Sequence, residues 1–292
     1  MKPDLLSQDD LKELLRHPHR SLGKGAQGTV YLVKYKGVDC CLKLASRQQD
    51  PERFLYEGEV LKKLKGAGGA PRLLGATENE GRRLGLLTTF CGDDTFMQLS
   101  RVARTDDEML HAFVQLCLGV HKVHARGYVH NDIKANNVVV RRDAHDGRVH
   151  VSLIDYGLAQ RTGVPLLSHV RTYNRLAWMA PEVYQCAPCR PSMDVYSLGH
   201  LLKEILAQCK GSYPGLQEMA QRAMAVLPKH RPSLKVLTKT LERCLLPHHP
   251  ATSPSLKSRL RSLFATREAA AAATLALPGT QHLAPAPLAS EG

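Results

Sequence analysis

The chain has 292 residues, 43% of them hydrophobic, which is enough apolar material for one large core or two modest ones and excludes disorder of the whole. A formal charge of +13 attracts polyanions in general, whether nucleic acid, anionic lipid, nucleotide or acidic protein, and so names no function by itself. No apolar run of about 18 residues is present to span a bilayer, and nothing at the start resembles a secretion signal. The eight cysteines, at 40, 41, 91, 117, 186, 189, 209 and 244, lack the density of a disulfide framework. A reduced, cytoplasmic protein is expected, with the nucleus as the alternative. Cys186 and Cys189 form a CxxC, but no second pair stands at zinc-finger spacing, so metal binding is not expected there.

Residues 4–16 carry Leu5, Leu6, Leu11, Leu14 and Leu15 among Asp and Lys, which predicts a short helix capped by Ser7. In "SLGKGAQGTVYLVKYKGVDCCLKLA", glycines punctuate β-rich segments, and Val30, Leu32, Val38, Cys40 and Leu42 predict three strands joined by tight turns. "PERFLYEGEVLKKLKG" predicts a helix with Pro51 at its start and Gly66 at its stop, Phe54, Leu61 and Leu64 lying on one face. Two strands around "NEG", a long apolar helix ending at Gly127, and a hairpin across Asp146-Gly147 follow. From about residue 180 the pattern is mostly helical, and strands first with helices after imply an α+β chain in two lobes. Ser, Pro and Ala dominate from 250 to 292, the composition of a solvated tail, within which Leu256, Leu260, Leu263 and Phe264 share a helical face ringed by basic residues.

Gly23, Gly25 and Gly28 make a GxGxxG that Thr29, Val30 and Tyr31 continue as strand, unlike the strand-turn-helix of a dinucleotide fold. A glycine turn between two strands can lie over phosphates, since no Cβ keeps the backbone away. Lys43 stands in the apolar strand "CCLKLA", where an unpaired ammonium is costly, and Glu57 on the next helix is its candidate partner.

The stretch "YVHNDIKANN" decides between these fragments. His130, Asp132, Lys134 and Asn137 resemble the catalytic loop HRDxKxxN of protein kinases, Asp155-Tyr156-Gly157 resembles DFG, and Ala180-Pro181-Glu182 resembles APE. Asp194 in "DVYSLG" and Arg231 in "RPS" match two further landmarks, so the resemblance runs in family order over roughly residues 20–246. It implies a bilobal α+β kinase fold with a β-rich N-lobe, about 20–91, and a mainly helical C-lobe, about 92–247. Residues 1–19 are then an extension and 248–292 a tail.

The resemblance also implies an ATP-dependent transfer to Ser or Thr hydroxyls of protein substrates with Mg²⁺; no aromatic-rich RNA motif accompanies the basic charge, so a nucleic-acid partner is not expected. Phosphoryl transfer asks mainly for positioning and charge neutralisation. Lys43 is implied to hold the α and β phosphates, Glu57 to orient Lys43, and Asn137 and Asp155 to ligate Mg²⁺. Asp132 is implied to take the substrate hydroxyl's proton, and Lys134 to offset charge on the transferring group. Val30, Cys41 and Val139 are implied to sandwich the adenine, with Thr88 as gatekeeper and Thr89 to Cys91 as hinge. Glu182 with Arg231, and His130 with Tyr156 and Leu61, are implied to be architecture rather than chemistry.

Three departures stand out: Asn131 for the Arg of HRD, Tyr156 for the Phe of DFG, and Arg175 where a Thr normally bridges Asp132 and Lys134. Asn131 removes the cation that awaits an activation-segment phosphate, so a phosphate on Thr162, Ser168, Thr172 or Tyr173 loses its expected partner unless Arg171 or Arg175 takes it. Lys134, two residues after Asp132, follows the serine/threonine pattern. The alternatives are a catalytically weak pseudokinase scaffold and a small-molecule kinase, whose loop also reads HNDxxxxN but whose metal motif has an acid where Gly157 stands.

Overall fold

A computed structural model describes residues 3–16, 20–25, 27–47, 49–78, 84–166 and 175–245. The expected turn at Asn79–Gly81, the segment residues Ser168, Arg171, Thr172 and Tyr173, and the basic helix and tail beyond 248 lie outside the described residues.

The chain opens with β1 (Asp4–Leu5) and α1 (Gln8–Arg16). Ser7 caps α1 as its position predicted: its hydroxyl accepts the Asp10 N–H at 3.1 Å, and Asp10 accepts the Ser7 N–H at 2.7 Å, so two donors that the helix cannot use are satisfied reciprocally. The strands β2 (Arg20–Gly25), β3 (Gly28–Tyr35) and β4 (Val38–Ala45) follow, then α2 (Pro51–Leu64), β5 (Leu73–Ala76) and β6 (Gly85–Thr89). They form one six-stranded sheet in the order β1-β5-β6-β4-β3-β2. Side chains alternate across a strand, and β4 shows the consequence. Cys40, Leu42 and Leu44 are buried with Leu6, Leu11 and Leu14, whereas Cys41 and Lys43 point to the opposite face. Residues 4–16 thus complete this sheet and its core.

Asp50 caps α2 by accepting the Glu52 N–H at 3.0 Å, Pro51 sits in the first turn where no N–H is needed, and Lys65 at φ 52° ends the helix one residue before Gly66. Phe54 anchors α2 against Leu84 and Leu86, which turns Glu57 inward.

The second region holds β7 (Asp94–Thr95), α3 (Leu99–Val102), α4 (Asp106–His124), β8 (Tyr128–Val129), β9 (Val138–Arg142), β10 (Val149–Leu153), β11 (Gln160–Arg161), α5 (Pro191–Leu206), α6 (Pro214–Ala223) and α7 (Leu234–Cys244). The helix α4 begins three residues before the apolar run that predicted it, because Thr105 accepts the Glu108 N–H at 3.2 Å and Asp106 to Glu108 place their charges on the positive end of the helix. Its middle is buried throughout, the pattern of a central helix. Among the described residues no helix is long and apolar enough to cross a membrane.

Glu182 and Arg231 pair as the resemblance implied, at 2.6 and 2.8 Å through both oxygens. Arg231 also donates to the carbonyls of Ser192, Ala225 and Val226, so all five of its N–H groups are used inside the protein. Breaking a buried pair from one side leaves the other charge stranded. Arg231→Met is therefore expected to lose about 3–5 kcal/mol in urea unfolding, and a Glu182→Leu/Arg231→Met double variant to regain part of it. Equal stability of the single variant and the native protein would show the pair to be dispensable.

Candidate active site

The chain leaves β8 into a loop whose backbone is held from α5. Asp194 is fully buried, and its carboxylate accepts the N–H groups of His130 at 2.9 Å and Asn131 at 2.8 Å and bonds His124 Nε2 at 2.8 Å. Burial alone pushes this carboxyl up, but the bond and charge of His124, joined by the His130 N–H, hold it below the usual carboxylate range. Asn131 sits at φ 63°, a left-handed conformation that Asn tolerates better than most residues. Its side chain turns into the protein, donating to Leu158 O at 3.1 Å and lying 3.3 Å from Cys189 Sγ.

The turn aims Asp132. Its Oδ2 accepts from Lys134 Nζ and Asn137 Nδ2, both at 2.8 Å, and its Oδ1 accepts the Trp178 indole N–H at 2.9 Å. Asn137 spends its amide nitrogen on Asp132, also reaching the main-chain oxygen at 2.9 Å, which leaves Oδ1 as the atom that could hold a metal. After β10 the chain reaches Asp155 at φ 60°, and Tyr156 packs edge-on against His130 with centroids 4.7 Å apart. The phenol ring is fully buried, so Tyr fills the Phe position of the motif without leaving the core.

Lys43 closes the site from the sheet. Its ammonium lies 2.7 Å from Glu57 Oε2, 3.2 Å from Asp155 Oδ1 and 2.7 Å from Gln27 Oε1, and these three acceptors match its three N–H groups. Desolvation works against the ammonium, yet the two carboxylates overcome it and raise Lys43 above the usual lysine range. The carboxylates separate in response. Burial pushes Glu57 up despite Lys43, whereas for Asp155 the burial penalty is outweighed by the Lys43 charge, which holds it low.

Residues 16–269 match the protein kinase domain family. This chain belongs to the protein kinase family. The RGS domain-containing serine/threonine-protein kinase A of Dictyostelium discoideum is 24% identical over 270 residues, covering 82% of this chain and 23% of that protein. Serine/threonine-protein kinase pakG of the same organism is 27% identical over 234 residues, covering 78% of this chain and 18% of that protein. Tyrosine protein-kinase src-1 of Caenorhabditis elegans is 30% identical over 210 residues, covering 68% and 38% respectively. The chain thus spans between 18% and 38% of the length of these three relatives.

In this kinase, Val30 lies opposite Lys43, and Cys41 opposite Thr88, so these four side chains line one face of the sheet. Val139 is buried in β9 opposite Thr95. Thr89 ends β6, where its hydroxyl accepts the Arg72 N–H at 3.0 Å and its own N–H donates to Arg72 O at 3.0 Å, while Cys91 beyond it is half-buried. The glycines divide by role. Gly28, at φ 150°, passes so close to β4 that a Cβ would stand 2.0 Å from Leu44 O, whereas a Cβ at Gly23 or Gly25 would meet nothing within 4 Å. The sheet requires the first, and the other two leave the space that a phosphate-covering turn needs.

Two contacting residues were not legible in the motifs. Gln27 reaches from the glycine turn to Lys43 and lies against Gly157, where a Cβ would stand 2.5 Å from its amide. Trp178 reaches Asp132 from the segment before Ala180-Pro181-Glu182, while Arg175, at the expected bridging position, is exposed and lies over the Tyr184 ring at 5.9 Å. The signals were slight, a polar residue inside a glycine turn and the chain's one tryptophan.

Lys43→Met is expected to destabilise this kinase by about 3 kcal/mol, because it strands Glu57 in a buried position, and Lys43→Met/Glu57→Leu to recover most of that loss. Denaturant midpoints of the two variants against the native protein check it.

Proposed function

We propose that this kinase transfers the γ-phosphate of ATP to serine or threonine hydroxyls of protein substrates, with Asp132 as the residue that takes the proton. The observation that carries the reading is the joined network in which Lys43 bridges Glu57 and Asp155, while Lys134 and Asn137 share one oxygen of Asp132. A scaffold without activity has no need to assemble these groups, and assembly is what phosphoryl transfer asks of the protein. The assembled pair Lys43–Glu57 weighs against the pseudokinase alternative, and Gly157 with the Glu182–Arg231 pair weighs against a small-molecule kinase. Serine or threonine as acceptor rests on Lys134 and on relatives named as serine/threonine kinases, against a tyrosine kinase also among the matches.

On this reading Lys43 contacts the α and β phosphates, which requires the ammonium to exchange Gln27 for a phosphate oxygen, since its three donors are otherwise committed. The open space at Gly23 and Gly25 admits the phosphates beneath the turn, and Val30, Cys41 and Val139 supply the apolar walls for the base. Asp155 and the Asn137 carbonyl oxygen supply the hard oxygen ligands that Mg²⁺ prefers. These two side chains would hold the ion, which would supply neutralisation of phosphate charge. Lys134, 2.8 Å from Asp132, places a fixed cation beside the transferring group.

Incubation with labelled ATP and generic protein substrates, followed by phosphoamino-acid analysis, is expected to yield labelled phosphoserine or phosphothreonine. Asp132→Asn should lower transfer by about 10² or more while nucleotide affinity stays within a few fold. Unchanged transfer by Asp132→Asn, or label only on tyrosine, refutes the corresponding half of the proposal.

Asn131 bears on regulation. Its amide nitrogen donates to Leu158 O and meets Cys189 Sγ, and an amide carries no charge, so the loop offers no cation at that position to a phosphate on the activation segment. Phosphatase treatment, with removal confirmed by mass, is expected to lower the transfer rate by less than about tenfold, a change worth 1.4 kcal/mol. A larger drop would mean that another cation captures the phosphate.

A further inference from the structure

Asp132 needs its carboxylate plane fixed, and the donors from its own loop do not fix it. Lys134 and Asn137 both address Oδ2. A carboxylate held by one oxygen still swings about its Cβ–Cγ bond, and the second oxygen moves through the place where a substrate hydroxyl must dock. Oδ1 is held by a different part of the chain, through the Trp178 indole N–H at 2.9 Å. The same indole receives the Lys134 ammonium over its face, 5.1 Å from the ring centroid, an attraction of cation and ring quadrupole. One ring therefore addresses both charged groups of the loop, the carboxylate by its edge and the ammonium by its face.

Trp178 is itself held firmly. Ser197 Oγ on α5 donates to the Trp178 carbonyl at 2.7 Å, and the ring packs beside a core of Val129, Met179, Ala180 and Met193. Ser197 stands one turn after Asp194, which fixes the backbone of the loop opposite. Both walls of the carboxylate are thus set from one helix.

We propose that Trp178 is a positioning residue for Asp132 and Lys134, doing through an indole N–H what Arg175, pointed away over Tyr184, does not do. The proposal rests on the reading of Asp132 as the proton acceptor. Each carboxylate oxygen has two lone pairs. Oδ2 accepts two bonds and Oδ1 one, so the remaining lone pair of Oδ1, beside the indole, is where the substrate hydroxyl docks.

The test is a kinetic cycle on the full chain. Trp178→Phe keeps an aromatic face for Lys134 and deletes only the N–H. It is expected to lower kcat for transfer to a protein substrate by about ten- to a hundredfold, the scale of a misplaced catalytic group, with KM for ATP within about twofold. In an Asp132→Asn background, Trp178→Phe is expected to cost less than about twofold, because no carboxylate remains to align. Costs that multiply across the two backgrounds, or a kcat within twofold of native, overturn the proposal.

A second measurement needs no activity. Trp178 is the chain's one tryptophan, so its emission reports on this contact directly. Asp132→Ala and Lys134→Met are each expected to change the emission maximum or lifetime of the native chain, and spectra identical to native refute the contact. If Trp178→Phe fails to fold, judged by loss of a cooperative thermal transition, these two variants decide the matter. A native protein that transfers no phosphate but responds in emission would refute the kinase mechanism and leave the indole contact standing.

Discussion

A buried carboxylate in the first turn of α5 holds the rest of the site in place. Asp194 has no exposed surface, and a charge in that position is tolerated only when donors meet it. Three do: the His130 and Asn131 N–H groups and His124 at the end of α4. The demand of one carboxylate for donors therefore ties two helices to the catalytic loop and sets the turn that presents Asp132. Three residues further along α5, Ser197 binds the carbonyl of Trp178, so the loop and the segment that face each other across Asp132 share one support. The far end of that segment is fastened by Glu182 to Arg231, whose guanidinium is fully spent.

The N-terminal sheet contributes through Lys43, and its logic is again desolvation against pairing. Alone, the ammonium could not sit on the inner face of β4. With Glu57 and Asp155 beside it the charge is stable there, and the two carboxylates split, one raised by burial and one lowered by the cation. That arrangement makes the position of α2, which carries Glu57, and the turn at Asp155 depend on one side chain. Gln27 adds the glycine turn to the same centre.

Asn131 shows how a motif can change without loss of the loop. A left-handed backbone and a main-chain N–H for Asp194 are what the position must supply, and Asn supplies both. Its short amide then bonds inward to Leu158 O rather than outward to a phosphate. The geometry of Asp132 is kept, and the position carries no cation.

Strand order aside, the fold was readable because its signals are local. Ser7 announces one helix start by satisfying nearby N–H groups, Pro51 another by sitting where no N–H is needed, Asp146-Gly147 announces a hairpin, and the alternation in β4 announces one buried face. The loop was readable because it resembles a family pattern of particular residues at fixed spacing, and that resemblance names Asp132, Lys134, Asn137, Asp155 and Lys43. Thr105 was not, since the helix it caps begins before the apolar run that marks it. The amino-acid sequence by itself determined which groups are present and where most of the longer strands and helices lie. Only the tertiary structure decided who meets whom across long separations: Gln27 with Lys43, Ser197 with Trp178, and Trp178 rather than Arg175 with Asp132. The reason is physical. A side chain's type limits what it can bond, but a contact between residues 132 and 178 depends on where two separately packed segments place their backbones, and no local pattern encodes that distance.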